Sequence, residues 1–281
     1  MKLIGESGGT KTNWVAVSDS SETRIISTIG LNPNFISKEA FTEVLSEEVL
    51  PAMKHPDIEE VWFYGAGCSG SLMEEKVKDS VMAVLPSASI NVFSDLTGAA
   101  RGLLGESGGY ICMLGTGSNS GYYNGKYITE NIPPLGFILG DEGSGASLGK
   151  KLLADFLRGI MPLHLAAEFK ENYGAEKDDI VSHVYRGVFP SSYIGGFVKF
   201  LKDHISDPYC VNLVKTSFDE FVRRNLKLYK ITGKTRIAAT GSVAWHFRDL
   251  LREVFSDYNF VITGITKDPI RGLIKFHKNR H

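Results

Sequence analysis

The sequence predicts an α/β protein of two domains, and three observations lead to this prediction. Short apolar runs typical of strands alternate with helical patterns in both halves of the chain. A glycine-rich turn between two predicted strands occurs twice, at residues 8–12 and 115–119. With 281 residues, the chain is also long for one hydrophobic core. We therefore expect one domain on each side of the glycine-rich stretch at residues 105–109.

The composition is that of an ordinary globular protein and excludes several functional classes. A net charge of -1 and 22% charged residues offer no bulk attraction to nucleic acid or to an anionic membrane. No apolar run approaches the roughly 20 residues that span a bilayer. Cys68, Cys112 and Cys210 are widely spaced and form no Cys-x-x-Cys pair, so we expect a cytoplasmic protein without disulfides.

The first glycine-rich turn joins the two strands of a predicted hairpin. Gly8 and Gly9 let the backbone approach a ligand without an intervening Cβ atom. Thr10, Lys11 and Thr12 add two hydroxyls and one cation at the same point, which suits a phosphate. For a single such turn, an ordinary tight hairpin remains an equal alternative.

A second copy of the turn favours the phosphate interpretation. It follows the apolar run 110–114, leads into another strand and reads Gly115, Thr116, Gly117, Ser118, Asn119. Aligning the two stretches pairs residues 9–10 with residues 115–116 and Asn13 with Asn119. Two such turns facing each other across a cleft can hold a polyphosphate from both sides.

The order of predicted elements supports the fold class. The first half continues with a strand at 23–29, a helix from Ser37 to Pro51, strands at 61–64 and 90–93, and helices at 72–85 and from Asp95. The second half is mostly helical, with helices at 144–158, 177–185, 192–204, 208–229 and 243–255, and with strands at 236–239 and 260–262. A closing helix from Pro269 places Ile270, Leu273, Ile274 and His277 on one face.

Two acidic positions are candidates for chemistry on a hydroxyl. Asp95 follows an apolar strand and opens a helix, so its carboxylate can accept a proton from a hydroxyl that attacks a phosphoryl group. Asp141 lies in the glycine-rich loop 136–145, where it can hold a sugar hydroxyl while Glu142 caps or orients. In the alternative interpretation, these acids only favour the N-terminal ends of their helices.

Further candidates concern a metal ion and a nucleotide. Glu6 stands between an apolar strand and the first turn, where it can hold Mg²⁺ directly or through water. Gly241 and Ser242 occupy a strand-to-helix turn that can meet a nucleotide. The alternatives are that Glu6 is only an acid at the end of a strand and that Gly241 serves the turn without binding a ligand.

A competing motif is the Gly-x-Gly-x-x-Gly pattern at residues 65–70, which lies between a predicted strand and a helix. It favours dinucleotide binding, but it lies in the middle of the domain and leaves the paired turns unexplained. The first turn, at residues 8–12, also resembles the end of a P-loop motif. However, the chain continues into a strand, and the full P-loop spacing is absent.

These motifs in this order resemble those of the actin, Hsp70 and sugar-kinase superfamily, and within it the N-acetylglucosamine kinase-like group that includes BadF/BadG-type ATPases. Residues 6–14 and 115–119 are similar to the two phosphate motifs, and residues 241–243 to the adenosine motif. Residues 136–145 resemble the glycine-rich acidic signature, and residues 30–33 the sugar-contact loop. The resemblance implies two RNase H-like (actin-like ATPase) domains around an interdomain cleft, at 1–105 and 106–266, with a C-terminal helix in 267–281 that returns to the first domain.

The resemblance also implies an ATP-dependent kinase that phosphorylates N-acetylglucosamine at the 6-hydroxyl, with Asp95 as general base. The residues that would hold ATP are Gly8, Gly9, Thr10, Lys11, Thr12, Gly115, Thr116, Gly117, Gly241 and Ser242, with Mg²⁺ near Glu6. Those that would hold the sugar are Asn32, Ser118, Asn119, Gly136 and Asp141. The expected partners are a small-molecule sugar and, at most, a second copy of the chain in a homodimer.

Two departures from the family pattern leave alternatives open. The first motif usually begins with Asp, where this chain has Glu6, and Trp-bearing relatives carry their aromatic residue where this chain has Leu135. One alternative is a BadF-like ATPase that activates a partner enzyme through an intersubunit iron–sulfur cluster held by Cys112 and Cys68. Another is a ligand sensor that kept the fold and lost the chemistry.

Overall fold

The computed structural model describes residues 1–19, 21–54, 56–174, 176–231 and 235–278, which form two compact units. Unit 1 comprises Met1–Gly109, Tyr122–Thr129 and Asp268–His281, and unit 2 comprises Tyr110–Gly121 and Glu130–Lys267. The sequence prediction assigned residues 122–129 to the second domain. In the structure this segment packs on residues 106–108, where a Cβ atom on Gly125 would overlap the carbonyl oxygen of Glu106. The last three residues of the predicted 267–281 segment lie outside the described residues.

Unit 1 is built on a five-stranded mixed sheet with the order β3-β2-β1-β4-β5. Its strands are β1 (Lys2–Ser7), β2 (Lys11–Val17), β3 (Ile26–Ile29), β4 (Glu60–Gly65) and β5 (Ser89–Ser94). The first three strands form an antiparallel meander, whereas β4 runs parallel to β1 and β5 runs parallel to β4. This arrangement confirms the predicted meander followed by strands that alternate with helices.

Helices connect the parallel strands of unit 1. They are α1 (Lys38–Glu43), a π-helix (Val44–Val49), α2 (Leu50–Ala52), α3 (Ser71–Met82) and α4 (Asp95–Leu104). The predicted helix 37–51 is thus one helical segment with a π-helical middle, and Ser37 caps it by accepting from the amide of Ala40 at 3.1 Å. One face of the sheet buries an aromatic cluster against this segment, in which the ring centroids of Phe41 and Phe63 lie 5.3 Å apart.

A second five-stranded sheet repeats the sheet order of unit 1, and it belongs to unit 2 except for Gly109 and the parts of two strands within residues 122–129. Its strands are β6 (Gly109–Leu114), β7 (Ser118–Tyr123), β8 (Ile128–Ile132), β9 (Thr235–Thr240) and β10 (Phe260–Thr266), in the order β10-β9-β6-β7-β8. Strand β9 runs parallel to both β6 and β10. The duplication read from the two turns therefore extends to the whole sheet, as the predicted pair of RNase H-like domains requires.

The helices of unit 2 are α5 (Gly136–Leu139), α6 (Gly145–Leu157), α7 (Leu163–Tyr173), α8 (Lys177–Arg186), α9 (Pro190–Gly196), α10 (Val198–Asp203), α11 (Pro208–Arg224), α12 (Ser242–His246) and α13 (Arg248–Ser256), with a 3₁₀ turn (Leu226–Leu228). Two predicted helices are each divided, one at Phe197 and the other at Phe247. Both phenylalanine side chains are buried in the unit 2 core, so packing fixes the two breaks. Helix α7 was not predicted.

The C-terminal helix α14 (Ile270–Lys278) packs within unit 1. All four residues of its predicted apolar face are buried, and three of them join Ile4, Val15 and Tyr64 in a second cluster on the sheet. It crosses α4 so closely that a Cβ atom on Gly272 would overlap the carbonyl oxygen of Gly102. Within the described ranges, no helix combines the length and the apolar character needed to cross a membrane.

Candidate active site

The strand register of unit 1 brings three connecting segments to one edge of its sheet. Ser7 pairs with Gly65, which in turn pairs with Ser94, so the ends of β1, β4 and β5 lie in one row. Because these strands are parallel, the first turn, the loop after β4 and the start of α4 emerge at the same edge. This edge therefore collects most of the unit 1 residues predicted for the site.

The first turn is tight and its tip is exposed. The amide of Gly8 donates to the carbonyl of Lys11 at 3.0 Å, and Gly9, Thr10 and Lys11 are exposed. No heavy atom would lie within 4 Å of a Cβ atom on Gly9, so a ligand has room to approach the backbone there. The turn has the form expected of a phosphate-binding tip.

Thr12 supports this turn from inside the unit. Its side chain is fully buried, and its hydroxyl lies 2.8 Å from that of Ser7 and donates to the carbonyl of Ile29 at 2.9 Å. Both hydroxyls also accept from the amide of Leu31. Its predicted contact with ATP stays a prediction, which this geometry does not favour because the hydroxyl is engaged in the interior.

Glu6 is a buried carboxyl directly beneath the turn. It accepts from the side-chain amide of Asn13 at 3.1 Å. Burial raises the pKa of Glu6 to about 7, and the carboxylate of Asp268 adds to this effect, whereas the bond from Asn13 and the charge of Lys11 oppose it. The ammonium of Lys11 lies 3.8 Å from the Asp268 carboxylate. The charge of Lys11 therefore acts on both acids.

Asp95 is the first residue of α4 and follows β5 directly. Ser94 caps the helix by accepting from the amide of Thr97, and the Asp95 carboxylate accepts from the amide of Leu96 at 2.8 Å. Burial raises the pKa of Asp95 to about 6, although the bonds from its own amide and from that of Leu96 lower it. A carboxylate with a pKa near neutrality can both take up and release a proton at working pH.

The predicted sugar loop packs on the loop after β4. The side-chain oxygen of Asn32 accepts from the backbone amide of Asn34 at 3.0 Å. Gly67 has a φ of +80°, and a Cβ atom there would overlap the Asn32 side chain. Close packing against Asn32 therefore accounts for Gly67 of the Gly-x-Gly-x-x-Gly pattern without a bound dinucleotide.

The second turn in unit 2 is held by the start of α6. The amide of Gly115 donates to the carbonyl of Gly117 at 3.0 Å. The carbonyls of Gly115 and Thr116 accept from the amides of Gly145 and Ala146, the first two residues of α6, at 2.8 and 3.0 Å. These bonds fix the turn against a long helix and orient its carbonyls toward that helix.

The acidic loop lies against the same turn. Asp141 has a φ of +58°, and its carboxylate accepts from the amide of Ser118. A Cβ atom on Gly117 would lie 2.9 Å from this carboxylate, so only glycine leaves room for it. Burial raises the pKa of Asp141, and the neighbouring Glu142 adds to the effect. The structure thus brings together Gly117, Ser118 and Asp141, which were predicted separately.

The remaining predicted sugar residues of unit 2 lie on β7 and before α5. The side-chain oxygen of Asn119 accepts from the amide of Ser120 and from the side chain of Asn131, both at 2.8 Å. Gly136 opens α5 with a φ of +74° and is exposed. Leu135, just before it, is 60% exposed, so an apolar side chain faces solvent beside the acidic loop.

Gly241 joins the predicted adenosine motif to the second turn. It has a φ of +113°, its amide donates to the carbonyl of Thr266 at 3.1 Å, and a Cβ atom would overlap the carbonyl oxygen of Leu114. Ser242 follows as the exposed first residue of α12. The strand-to-helix turn after β9 therefore contacts the end of β6 through its backbone.

A pocket of about 330 Å³ adjoins these segments within unit 2. It is lined by Gly115, Thr116, Gly145, Gly195, Gly196, Val198, Lys199, Lys202, Ser242, Val243, His246 and Phe247. The pocket brings the second turn and the adenosine motif into one concavity, as a nucleotide that contacts both would require.

Comparison with known proteins places the chain in a family. A solved structure described as a "putative N-acetylglucosamine kinase" from Porphyromonas gingivalis is 39% identical, covers 100% of both chains and has a TM-score of 0.95. The chain belongs to this N-acetylglucosamine kinase-like family. The family lies within the actin-like ATPase superfamily, and its named members are phosphotransferases to a sugar hydroxyl. No protein-family model matches the sequence.

A more distant relative by sequence and a more distant solved structure are also similar to this chain. Glucosamine kinase GspK of Vibrio cholerae is 24% identical over 271 residues, which cover 94% of this chain and 87% of that protein. A ROK family glucokinase from Streptomyces griseus, solved with glucose and AMPPNP, is 15% identical with a TM-score of 0.60, over 98% of this chain and 97% of that chain.

Several residues of the pocket were not predicted for this family member. They are Gly195, Gly196, Val198, Lys199, Lys202, His246 and Phe247, whereas Gly145 and Val243 belong to the predicted acidic loop and adenosine motif. One local signal was present, because the Gly195-Gly196 pair interrupts a helical pattern and such a pair often marks a break or a close approach. The lysines carry no signal of their own, since exposed lysines are common on helices.

The iron–sulfur alternative within the family receives no support. Cys112 is fully buried in the core of unit 2, and Cys68 is 1% exposed in the core of unit 1. Burial raises the pKa of both thiols, that of Cys68 to about 12, which disfavours the thiolate that a cluster needs. Across the described ranges, no three His, Cys, Asp or Glu side chains group so as to hold a metal ion.

Proposed function

We propose that this chain is an ATP- and Mg²⁺-dependent sugar kinase that phosphorylates the 6-hydroxyl of N-acetylglucosamine. One observation carries the proposal beyond family membership. Asp95, with its pKa raised to about 6, begins α4 at the same sheet edge as the first glycine turn. A general base and a phosphate-binding turn are the two parts that phosphoryl transfer to a hydroxyl needs at one place.

Asp95 acts on the acceptor sugar in this mechanism. Its carboxylate takes the proton of the 6-hydroxyl as the sugar oxygen attacks the γ-phosphorus of ATP, and the bond from that phosphorus to the β,γ-bridging oxygen breaks. The products are the sugar 6-phosphate and ADP. Asn32 in unit 1 and Ser118, Asn119 and Asp141 in unit 2 would orient the sugar hydroxyls.

The donor set beneath the first turn suits a hard cation. Mg²⁺ keeps most of its water and takes one or two carboxylates together with substrate phosphates, so one buried carboxyl is sufficient. Glu6 would hold the ion directly or through water, and Asn13 would orient the Glu6 carboxylate. When bound, Mg²⁺ neutralises developing charge on the phosphate oxygens.

Glucosamine is the second candidate acceptor. The Vibrio cholerae relative is named for that sugar, and Leu135 replaces the aromatic residue expected next to an N-acetyl group. Both acceptors carry the same 6-hydroxyl, so the roles of the residues are the same for either one. The homodimer and the cytoplasmic location expected from the sequence stay predictions.

The test is ATP consumption with Mg²⁺ across N-acetylglucosamine, glucosamine, glucose and N-acetylmannosamine. We expect one amino sugar to stimulate turnover and Asp95→Asn to lower kcat by about 10²-fold or more, while ATP still binds. Chelation of Mg²⁺ should abolish the stimulated rate. Asp79→Asn is the matched control, since Asp79 is an exposed acid of unit 1 on α3. Turnover that no sugar stimulates would contradict the proposal and favour a sensor that lost the chemistry.

A further inference from the structure

Three basic side chains line the unit 2 pocket together with its glycines. Lys199 and Lys202 lie three positions apart on α10, so they share one face of that helix. His246 reaches the pocket from the last turn of α12. None of the three was predicted from the sequence.

Among the described lysines of unit 2, some form ion pairs with acids and others form none. Lys151 pairs with Glu220, Lys170 with Glu176, and Lys215 with Glu253. Within the part of the chain that the structure describes, neither Lys199 nor Lys202 has a carboxylate partner.

The surroundings of His246 show the same excess of positive charge. Burial lowers the pKa of His246, and three nearby cations lower it further. Those cations are Lys202, Lys267 and Arg248. The surroundings of His246 in the pocket are therefore positively charged.

The other residues that line the pocket indicate what this charge would meet. Gly115 and Thr116 line the part of the pocket formed by the second turn, whereas Val198, Val243 and Phe247 supply buried apolar surface suited to a base. A neutral nucleoside would gain nothing from two unpaired ammonium groups. Phosphate oxygens would gain charge-assisted hydrogen bonds.

We propose that Lys199 and Lys202 bind the α- and β-phosphate groups of the donor nucleotide and so make this pocket selective for nucleotides over nucleosides. The proposal rests on the proposed kinase function, because it places the donor of that reaction in the unit 2 pocket. The lysines act in binding and leave the proton transfer at Asp95 unchanged.

Calorimetric titration of the full chain with adenosine, AMP and ADP, without metal, tests the proposal. We expect Lys199→Ala and Lys202→Ala each to weaken ADP binding by about 10-fold, the effect of losing one charge-assisted bond. Adenosine affinity should not change, and Lys202→Arg should retain most of the ADP affinity. Lys170→Ala, which removes an exposed lysine from α7, is the control and should bind ADP normally.

The outcomes separate the two proposals. Equal losses for adenosine and ADP would overturn the phosphate assignment, as would unchanged ADP affinity in both variants. If the unaltered chain bound no ADP, the kinase function and the lysine assignment would both fail. In kinetic assays, we expect Lys199→Ala and Lys202→Ala to raise the KM for ATP and to leave kcat and the KM for the sugar unchanged. Damage to the fold would not produce this pattern.

Discussion

Asp95 shows how one side chain can serve catalysis at a cost to stability. Its carboxyl is placed by a capped helix start and desolvated by its surroundings, which raises its pKa from 3.8 to about 6. Desolvation disfavours the charged form, and the same effect makes the carboxylate a better base. Activity and stability should therefore respond to pH in opposite directions at this residue.

The rate should fall as the pH falls through the pKa of Asp95. A general base works in its deprotonated form, so kcat/KM should decline by about tenfold per pH unit below about pH 6. The measurement is the pH profile of the sugar-stimulated rate at saturating ATP and Mg²⁺. A rate that stays flat or rises between about pH 7 and pH 5 would remove Asp95 from the role of base.

Replacing Asp95 should stabilise the folded chain above its pKa. When the pKa of an acid is higher in the folded than in the unfolded state, its ionisation destabilises the folded state by about 1.4 kcal/mol per pKa unit of difference. The raised pKa of Asp95 therefore corresponds to a loss of about 3 kcal/mol at most. Asp95→Asn should thus raise the free energy of unfolding by about 1–3 kcal/mol at neutral pH. The gain should vanish as the pH falls from 6 toward 4.

Urea denaturation of Asp95→Asn and of the unaltered chain, at neutral pH and near pH 4, measures this difference in the free energy of unfolding. Asp79→Asn is the control, because exposed ion pairs such as that of Asp79 with Lys38 contribute little. If Asp95→Asn were instead less stable at neutral pH, the interactions of the charged carboxylate would have to outweigh the cost of burying it.

Glycines set the closest contacts between secondary-structure elements in both units. In unit 1, α14 meets α4 at Gly272 and Gly102, and in unit 2, the turn after β9 meets the end of β6 at Gly241. At each contact, a side chain would meet backbone atoms, which cannot swing aside as a flexible side chain can. These contacts therefore fix how the C-terminal helix and the adenosine motif lie within their own units.

Gly272→Ala should separate α14 from α4 and destabilise unit 1. The added methyl would overlap the carbonyl oxygen of Gly102, and overpacking of this kind costs about 1–3 kcal/mol. Chemical denaturation measures the loss. Gly264→Ala is the control, because no heavy atom lies within 4 Å of its added Cβ position. Equal effects of the two substitutions would show that α14 moves without cost.

The molecule as a whole consists of two units with the same sheet order, each carrying one glycine turn after its first strand. Unit 1 adds Glu6 and Asp95 to its turn, and unit 2 adds the acidic loop and the pocket. The duplicated framework thus carries different chemistry in its two copies. Ligand binding should therefore change the thermal stability of the complete chain.

A donor analogue should raise the melting temperature of the chain. A ligand that binds only the folded state stabilises it by about 2.7 kcal/mol at about 100 times its Kd, which corresponds to about 5 °C or more for a chain of this size. The measurement is the thermal unfolding midpoint with AMP-PNP and Mg²⁺, and inorganic phosphate is the control. An unchanged midpoint would contradict nucleotide binding.

The sequence by itself determined the fold class, the duplication and most of the polar positions. Residues 8–12 and 115–119 are informative because the conformation of a glycine turn between two strands depends on local chemistry. Asp95 could be found for the same reason, since a carboxylate that follows an apolar strand needs no distant partner to be recognised. Alternating strands and helices then fixed the order of elements.

The tertiary structure alone decided which of those groups are available and what surrounds them. From the sequence pattern, Thr12 is expected to be an exposed turn residue, yet packing against residues 29–31 buries its hydroxyl. The raised pKa values of Glu6 and Asp95 depend on desolvation, and the pocket depends on α10, which carries Lys199 and Lys202, and on α12, which carries His246. Burial and charge at a site are sums over residues distant in the chain, and no local pattern contains those sums.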